Sequence, residues 1–139
     1  MENINRRSAL ALGLTAAAVP FVAAMTSAKA AMYGSDAGKE ILPGIRQVDV
    51  GKFSVNIAGY KSAVVTDYII APGSGFPEDT MKNDSVCQIV EGELLVTHDG
   101  KTFTAKAGHL FSCTTGSTET DKNEGSVAAV MRGIDLFPA

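Results

Sequence analysis

The sequence has no tryptophan, only two cysteines and few aromatic residues, which make up 6% of the chain. Its longest apolar stretch, Leu10 to Met25, is too short and too weakly apolar for a membrane span, which needs about 20 strongly apolar residues. Basic residues number 12 against 15 acidic ones, and no run of five like charges suggests a tail. The composition therefore predicts neither a membrane nor a nucleic acid as partner, because a nucleic acid needs a basic footprint.

Residues 1–30 predict a cleavable export leader, which is set aside before any argument about the fold. Arg6 and Arg7 provide a basic start, and Ala28–Ala30 offers small residues for cleavage. The adjacent arginines, the weak hydrophobicity of the apolar run and Lys29 favour the twin-arginine route, although the usual Phe-Leu-Lys continuation is missing. We expect a bacterial protein of the periplasm or the exterior.

The 109 residues that follow the leader, 31–139, are enough for one domain. Removing the leader takes away three basic residues and one acidic residue, which leaves 9 and 14 and a net charge of −5. Cys87 and Cys113 would then enter an oxidising compartment, where a pair is more often a disulfide than a metal site. Neither belongs to a Cys-x-x-Cys motif, so thioredoxin-like chemistry and zinc-ribbon spacing are both unsupported.

Glycine with Asn or Asp punctuates the mature sequence every 8 to 12 residues without a helical period, which predicts an all-β sandwich or barrel. Residues 31–44 are expected to be an irregular arm, and residues 45–139 the folded domain. Asp99-Gly100 predicts a two-residue type I′ hairpin. The predicted strands are Ile45–Val50, Phe53–Ile57, Lys61–Ile70, Ser85–Val90, Glu93–His98, Lys101–Thr104, His109–Cys113 and Val127–Leu136.

Several short motifs together resemble the cupin family of small double-stranded β-helix (jelly-roll) barrels. They are Pro72-Gly73-Ser74-Gly75-Phe76-Pro77, Gln88-Ile89-Val90-Glu91-Gly92-Glu93-Leu94, Asp99-Gly100-Lys101 and Ala107-Gly108. The resemblance covers roughly Ile45 to Leu136 and implies the fold. It implies no single reaction, because this fold carries enzymes, sugar-binding regulators and storage proteins.

The positions that hold metal ligands in metal-binding cupins carry other residues here. Ser85 stands for the carboxylate, Asp79 and Met81 (or Glu78 and Thr80) for two histidines, and Glu119 for the last histidine. The resemblance therefore implies no standard iron or manganese site, and we predict no metal and no cofactor. Asp79, Ser85 and Glu119 offer too few oxygens for calcium. Met81 with Cys87 and Cys113 is a soft set suited to Cu(I), which is left open behind the disulfide.

The barrel interior is predicted to hold the functional site. Glu119 and Asp79 are the candidate catalytic residues, because two carboxyl groups beside an apolar cavity repel each other, which raises the pKa of one of them. The candidate ligand-binding residues are Phe76, Met81, Ser85, Cys87, Ile89, Phe111 and Cys113. Cys87 and Cys113 are expected as neighbours on antiparallel strands, as a staple or as a redox-active pair at the pocket rim.

Three further polar residues are given structural roles. His98 precedes the hairpin and is interpreted as a solvated turn residue. His109 begins a strand on the far side from the mouth, where a surface or structural role is expected. Arg132 lies in the last strand, and its direction is left open between an inward ligand counter-ion and an exposed residue.

The interpretation favoured for function is a small molecule bound in the barrel, with or without metal-independent acid/base chemistry, so enzymatic activity is left undecided. One alternative is a non-enzymatic protein that dimerises through the apolar strand Val64–Ile70. Another is an atypical metalloenzyme, because the twin-arginine route carries folded, cofactor-loaded proteins.

Overall fold

A computed structural model describes residues 31–139, which form two antiparallel β-sheets. The predicted leader, residues 1–30, lies outside the described residues. Of the described residues, 67% are in strands and none is in a helix, which confirms the all-β prediction. This part of the chain accordingly contains no helix that is long and apolar enough to cross a bilayer.

Ten strands are arranged in one six-stranded and one four-stranded sheet. They are β1 Lys39–Leu42, β2 Ile45–Ile57, β3 Tyr60–Ile70, β4 Gly75–Thr80, β5 Asp84–Glu91, β6 Glu93–His98, β7 Lys101–Lys106, β8 Leu110–Cys113, β9 Thr118–Lys122 and β10 Ala129–Pro138. The larger sheet runs β1-β2-β3-β10-β5-β8 and the smaller one β4-β9-β6-β7. From β3 onward the chain crosses repeatedly between the two sheets, with β6 and β7 as a hairpin within the smaller one, as in a jelly roll.

The core lies between the two sheets and is built from alternate residues of each strand. Leu94 and Val96 of β6 are at most 1% exposed, and Ile89 of β5 and Ile70 of β3 are fully buried. Each of these side chains contributes about 2 kcal/mol by leaving water. The alternation continues beyond the apolar residues, so the next inward positions of the same strands carry polar groups.

The structure departs from the predicted elements at four places. Residues 45–57 form one long strand, which passes Gly51 through a register irregularity. Strands β4 and β9 were not predicted at all. Lys39–Leu42 pairs with β2, which corrects the prediction of an irregular arm for these residues.

The hairpin at Asp99-Gly100 is confirmed as predicted. Both residues have positive φ, 46° and 77°, as a type I′ turn needs. The Asp99 carboxylate accepts a hydrogen bond from the Thr118 backbone N–H at 2.9 Å, which ties the turn to β9.

Strand β3 is an interior strand, with β2 on one side and β10 on the other. Its backbone is therefore already paired on both sides within the chain, and dimerisation through the apolar faces of Val64–Ile70 stays a prediction. Arg132 of β10 points away from the core and pairs with Asp67 of β3 on the outer face, which settles the direction that the sequence left open.

Candidate functional site

A cavity of about 510 Å³ opens between the two sheets. Its wall combines apolar side chains with five carboxyl groups. The lining residues are Leu42, Tyr68, Phe76, Pro77, Glu78, Asp79, Met81, Ser85, Cys87, Glu119, Asp121, Met131, Gly133 and Asp135. The volume lies within the range of about 300–1,000 Å³ usual for small-molecule pockets.

Four inward polar residues, two on β9 and two on β5, form the cavity floor. The alternation of side chains along these strands positions them. On β9, Glu119 and Asp121 are 6% and 3% exposed, and the residues between and beside them face the other way. On β5, Ser85 and Cys87 face inward in the same manner, at 5% and 6%. The two strands therefore direct two carboxyl groups, a thiol and a hydroxyl into one enclosed place.

Cys87, Cys113 and Glu119 form a buried thiol–carboxyl cluster at this floor. One donor atom from each lies within 4.8 Å of the others, which is close enough for a single ion to bind all three. The Cys113 thiol donates a hydrogen bond to Glu119 Oε2 at 2.5 Å. The hydrogen bond with Cys87, burial and the carboxyl group of Glu119 together raise the pKa of Cys113 far above its usual range.

The predicted disulfide is not formed, and both cysteines are free. Strands β5 and β8 are antiparallel as expected, but Ser85 is the residue opposite Cys113, and Cys87 is opposite Phe111. The cysteines are thus diagonal neighbours on one face and not direct ones. Diagonal positions are about 7–8 Å apart between Cα atoms, beyond the span that suits a disulfide.

His98 belongs to this cluster and is not the solvated turn residue that was predicted. Its Nδ1 lies 3.5 Å from Cys113 Sγ and 3.7 Å from Glu119 Oε2, and its side chain is one quarter exposed. It stands directly opposite Glu119 across the β6–β9 pair. Its inward direction follows from Leu94 and Val96, since it continues their alternation along β6.

Asp121 carries a buried carboxyl oxygen, Oδ1, that has no hydrogen-bond partner among the described residues. Burial and, next, the neighbouring carboxyl group of Glu119 raise the pKa of Asp121 to about 8. Asp135, on the opposite wall, also has its pKa raised, by burial alone. Sequence reasoning missed both residues, although Asp121 continues the inward spacing of Glu119.

The two predicted catalytic carboxyl groups differ in setting. Both line the cavity, and Asp79 of β4 lies opposite Glu119 of β9 in register. Asp79 is exposed at the rim, and its Oδ1 accepts a hydrogen bond from the Thr80 N–H at 2.8 Å. The close carboxyl pair in the structure is therefore Glu119 with Asp121, whereas the sequence paired Glu119 with Asp79.

Four of the seven predicted ligand-binding residues line the cavity, namely Phe76, Met81, Ser85 and Cys87. Ile89 is fully buried in the core. Phe111 packs edge-on against Phe103, with ring centroids 5.5 Å apart. Cys113 lies behind Glu119 and off the cavity wall. These three predicted ligand-binding residues therefore lie outside the cavity lining of the described residues.

The comparison with known proteins identifies the fold. An RmlC-like cupin from Shewanella frigidimarina superposes with a TM-score of 0.58 at 14% identity, covering 80% of this chain and 93% of that one. A cupin superfamily protein from Desulfitobacterium hafniense gives 0.54 at 14%, covering 72% and 82%. A protein of unknown function from Rhizobium leguminosarum gives 0.55 at 25%, covering 69% and 83%. No protein-family model and no curated protein matches the sequence.

The chain therefore has a cupin fold, as the resemblance implied. The usual histidine cage of metal-binding cupins does not fit its residues. No histidine is among the described residues that line the cavity, and His109 stacks beside Phe103, with ring centroids 5.6 Å apart. Any ion bound in this cavity would have to use a different set of ligands.

Proposed function

We propose that this protein is exported and binds, in the cavity between its sheets, a small molecule that combines an apolar body with a cationic group. One observation carries the proposal. Five carboxyl groups line the cavity wall, those of Glu78, Asp79, Glu119, Asp121 and Asp135, and no lysine, arginine or histidine is among the described lining residues.

The unpartnered oxygen of Asp121 supports this ligand class. A buried acceptor without a hydrogen bond costs about 1–3 kcal/mol, and a ligand N–H that reaches it removes this cost. A protonated amine supplies both the donor and the opposite charge. The ligand's apolar body would lie against Tyr68, Phe76 and Met131, which provide the aromatic and thioether surface of the wall.

Export is proposed on the leader-like residues 1–30, with the arginine pair and the small residues before Ala31 as its support. The negative charge of the mature part accords with a ligand that is not an anion. The acid/base role of Glu119 and Asp79 stays a prediction, since binding alone accounts for an acidic cavity.

The test compares the binding of three probe molecules that contain the same benzene ring and differ in charge. Benzylamine, benzyl alcohol and benzoate share an apolar body and differ in charge at pH 7. Calorimetric titration of the protein in buffer with EDTA is expected to rank them in that order, with no measurable binding of benzoate. Equal affinity for benzoate and benzylamine, or no binding of any probe, would contradict the proposal.

A matched pair of variants locates the effect. Asp121→Asn keeps the shape but cannot ionise when an ammonium group binds beside it, so benzylamine affinity is expected to fall about tenfold, as for the loss of one charge-assisted hydrogen bond. Glu93→Gln changes an exposed carboxyl group of β6 outside the cavity and should leave affinity unchanged. A tenfold loss in Glu93→Gln would indicate a general effect of net charge instead of binding in the cavity.

A further inference from the structure

Four side chains that can each bind a transition metal meet at one place, where two of them line the cavity and the other two lie behind its wall. Two are thiols, one is a carboxyl group and one is an imidazole, and they come from four different strands, β5, β8, β9 and β6. Their positions in sequence give no metal-binding motif, so the set exists only in the folded protein. We infer that Cys87, Cys113, Glu119 and His98 bind one Zn²⁺ ion.

Two distances from His98 already fit a tetrahedral ion, whereas Cys113 Sγ and Glu119 Oε2, 2.5 Å apart in their hydrogen bond, would have to separate by about 1 Å when the ion replaces the thiol proton. With bond lengths of about 2.3 Å to sulfur and about 2.1 Å to nitrogen and oxygen, ligand atoms around zinc lie about 3.6 Å apart for sulfur and nitrogen and about 3.4 Å for nitrogen and oxygen. His98 Nδ1 is 3.5 Å from Cys113 Sγ and 3.7 Å from Glu119 Oε2. Cys87 Sγ completes the set within 4.8 Å of Cys113 Sγ and of a Glu119 carboxyl oxygen.

The ligand chemistry selects zinc among common ions. Thiolates exclude calcium and magnesium, which take oxygen ligands. A carboxylate and an imidazole in the same set disfavour Cu(I), which prefers thiolates and thioethers, so Met81 is not needed. Zinc accepts sulfur, nitrogen and oxygen together in four-coordinate sites.

Metal binding at these residues has a defined proton balance. Binding converts two Cys–SH groups to thiolates and releases two protons to the buffer, and Glu119 and His98 bind through a carboxylate oxygen and a ring nitrogen. The Cys113–Glu119 hydrogen bond is the arrangement that the cluster adopts when its protons remain.

This centre is separate from the cage of metal-binding cupins. Only Glu119 stands at one of the positions that the resemblance assigns to ligands, and the other three residues lie outside them. Cys87 and Glu119 line the cavity, so the ion would lie at its floor. The proposed site for a cationic small molecule is the remaining part of the same cavity. The inference goes beyond the proposed function and does not depend on it.

The direct test uses Co²⁺, which binds in zinc sites and absorbs visible light in a way that reports its ligands. The purified full chain is stripped with a chelator under reducing conditions and titrated with Co²⁺, and absorption is recorded. The expected result is one Co²⁺ per chain, with intense tetrahedral d–d bands and a thiolate-to-cobalt charge-transfer band, all removed by one equivalent of Zn²⁺. Weak octahedral bands without charge transfer would overturn the inference.

Matched variants assign the ligands. Cys87→Ser and Cys113→Ser are each expected to lose about half of the charge-transfer intensity, and His98→Gln to shift the d–d bands and weaken Co²⁺ binding more than tenfold. His109→Gln removes the other histidine and should match the wild type. Full charge-transfer intensity in either serine variant, or a His98→Gln spectrum identical to that of the wild type, would contradict the assignment.

Thermal unfolding keeps these results interpretable if a variant folds poorly. Zn²⁺ in excess should raise the melting temperature of the wild type and of His109→Gln, because a ligand of the native state stabilises it by mass action. It should not raise that of the double variant Cys87→Ser/Cys113→Ser. The benzylamine series is measured in EDTA, so failure of one proposal is distinguishable from failure of the other.

Discussion

Asp67 is fully buried on the outer face of the larger sheet, and its carboxylate is held by two partners. Arg132 of the neighbouring strand donates two hydrogen bonds to it, at 2.7 and 2.8 Å, and the Tyr33 hydroxyl donates a third at 2.6 Å. Burial alone would raise the pKa of Asp67, but these hydrogen bonds hold it below its usual value. The hydrogen bond from Tyr33 to Asp67 therefore ties the segment before β1 to the larger sheet.

Removing the guanidinium should be costly because it leaves the carboxylate buried with a single partner. Arg132→Gln is expected to lower the free energy of unfolding by about 3 kcal/mol, as for other broken buried pairs. Asp67→Asn/Arg132→Gln should recover part of this loss, because the charge that needs a partner is also gone. Urea unfolding measures both variants, and a double variant as unstable as the single one would contradict this account.

Some single residues of the site could be predicted from the alternation along a strand. Others could not, because only the pairing of strands shows what they contact. Glu119 and Cys87 were assigned to the interior from the sequence. His98 and Asp121 also follow inward neighbours, but a histidine beside an Asp-Gly turn and an aspartate next to a lysine each have a common solvated interpretation. Only the pairing of β6 with β9 brings His98 to Glu119.

Strand β4 covers one side of the cavity, and Gly75 at its start permits this close approach. A Cβ at this position would lie 2.1 Å from the backbone oxygen of Asp121 and 2.9 Å from Lys122 Cα. Both atoms belong to the main chain of β9, so a side-chain rotation cannot relieve the contact. Strand β4 can therefore lie this close to β9, beside Asp121, only because Gly75 has no side chain.

Gly75→Ala should therefore push β4 away from β9. We expect a loss of about 2 kcal/mol in the free energy of unfolding, typical of overpacking, and weaker benzylamine binding because the cavity wall moves. Gly34→Ala is the control, since its Cβ would meet only the flexible carboxylate of Asp36, at 3.3 Å. Chemical denaturation compares the two, and equal stability of both variants would contradict the steric argument.

Elements were predicted well where β-branched and apolar residues alternate, and poorly where they do not. Strands β3, β5 and β6 fall within one or two residues of their predicted bounds. Strand β4 contains Pro77 and three exposed polar residues, and β9 is Thr118–Lys122, so neither has the composition of a strand. They are held because β4 pairs with β9 and β9 pairs with β6, and local sequence does not encode this pairing.

On the scale of the whole molecule, one level of the barrel interior is an apolar core that stabilises the fold, and the next level is the cavity. Apolar inward residues fill the barrel up to the level of Ile89 and Val96, and the inward positions beyond them are polar. The periodic turns made the cupin fold predictable, because turn spacing and the Gly92 and Asp99-Gly100 motifs are local features. The content of the cavity was less predictable, since four strands contribute to its floor.

The central claim is that the cavity between the sheets is the binding site of this protein. The most direct measurement is a pair of amide NMR spectra of the ¹⁵N-labelled protein, recorded with and without benzylamine. The account predicts shifts concentrated at Tyr68, Met81, Glu119 and Asp121, with Asp67 and its outer face unchanged. Shifts concentrated on the outer face, or none at saturating probe, would contradict it.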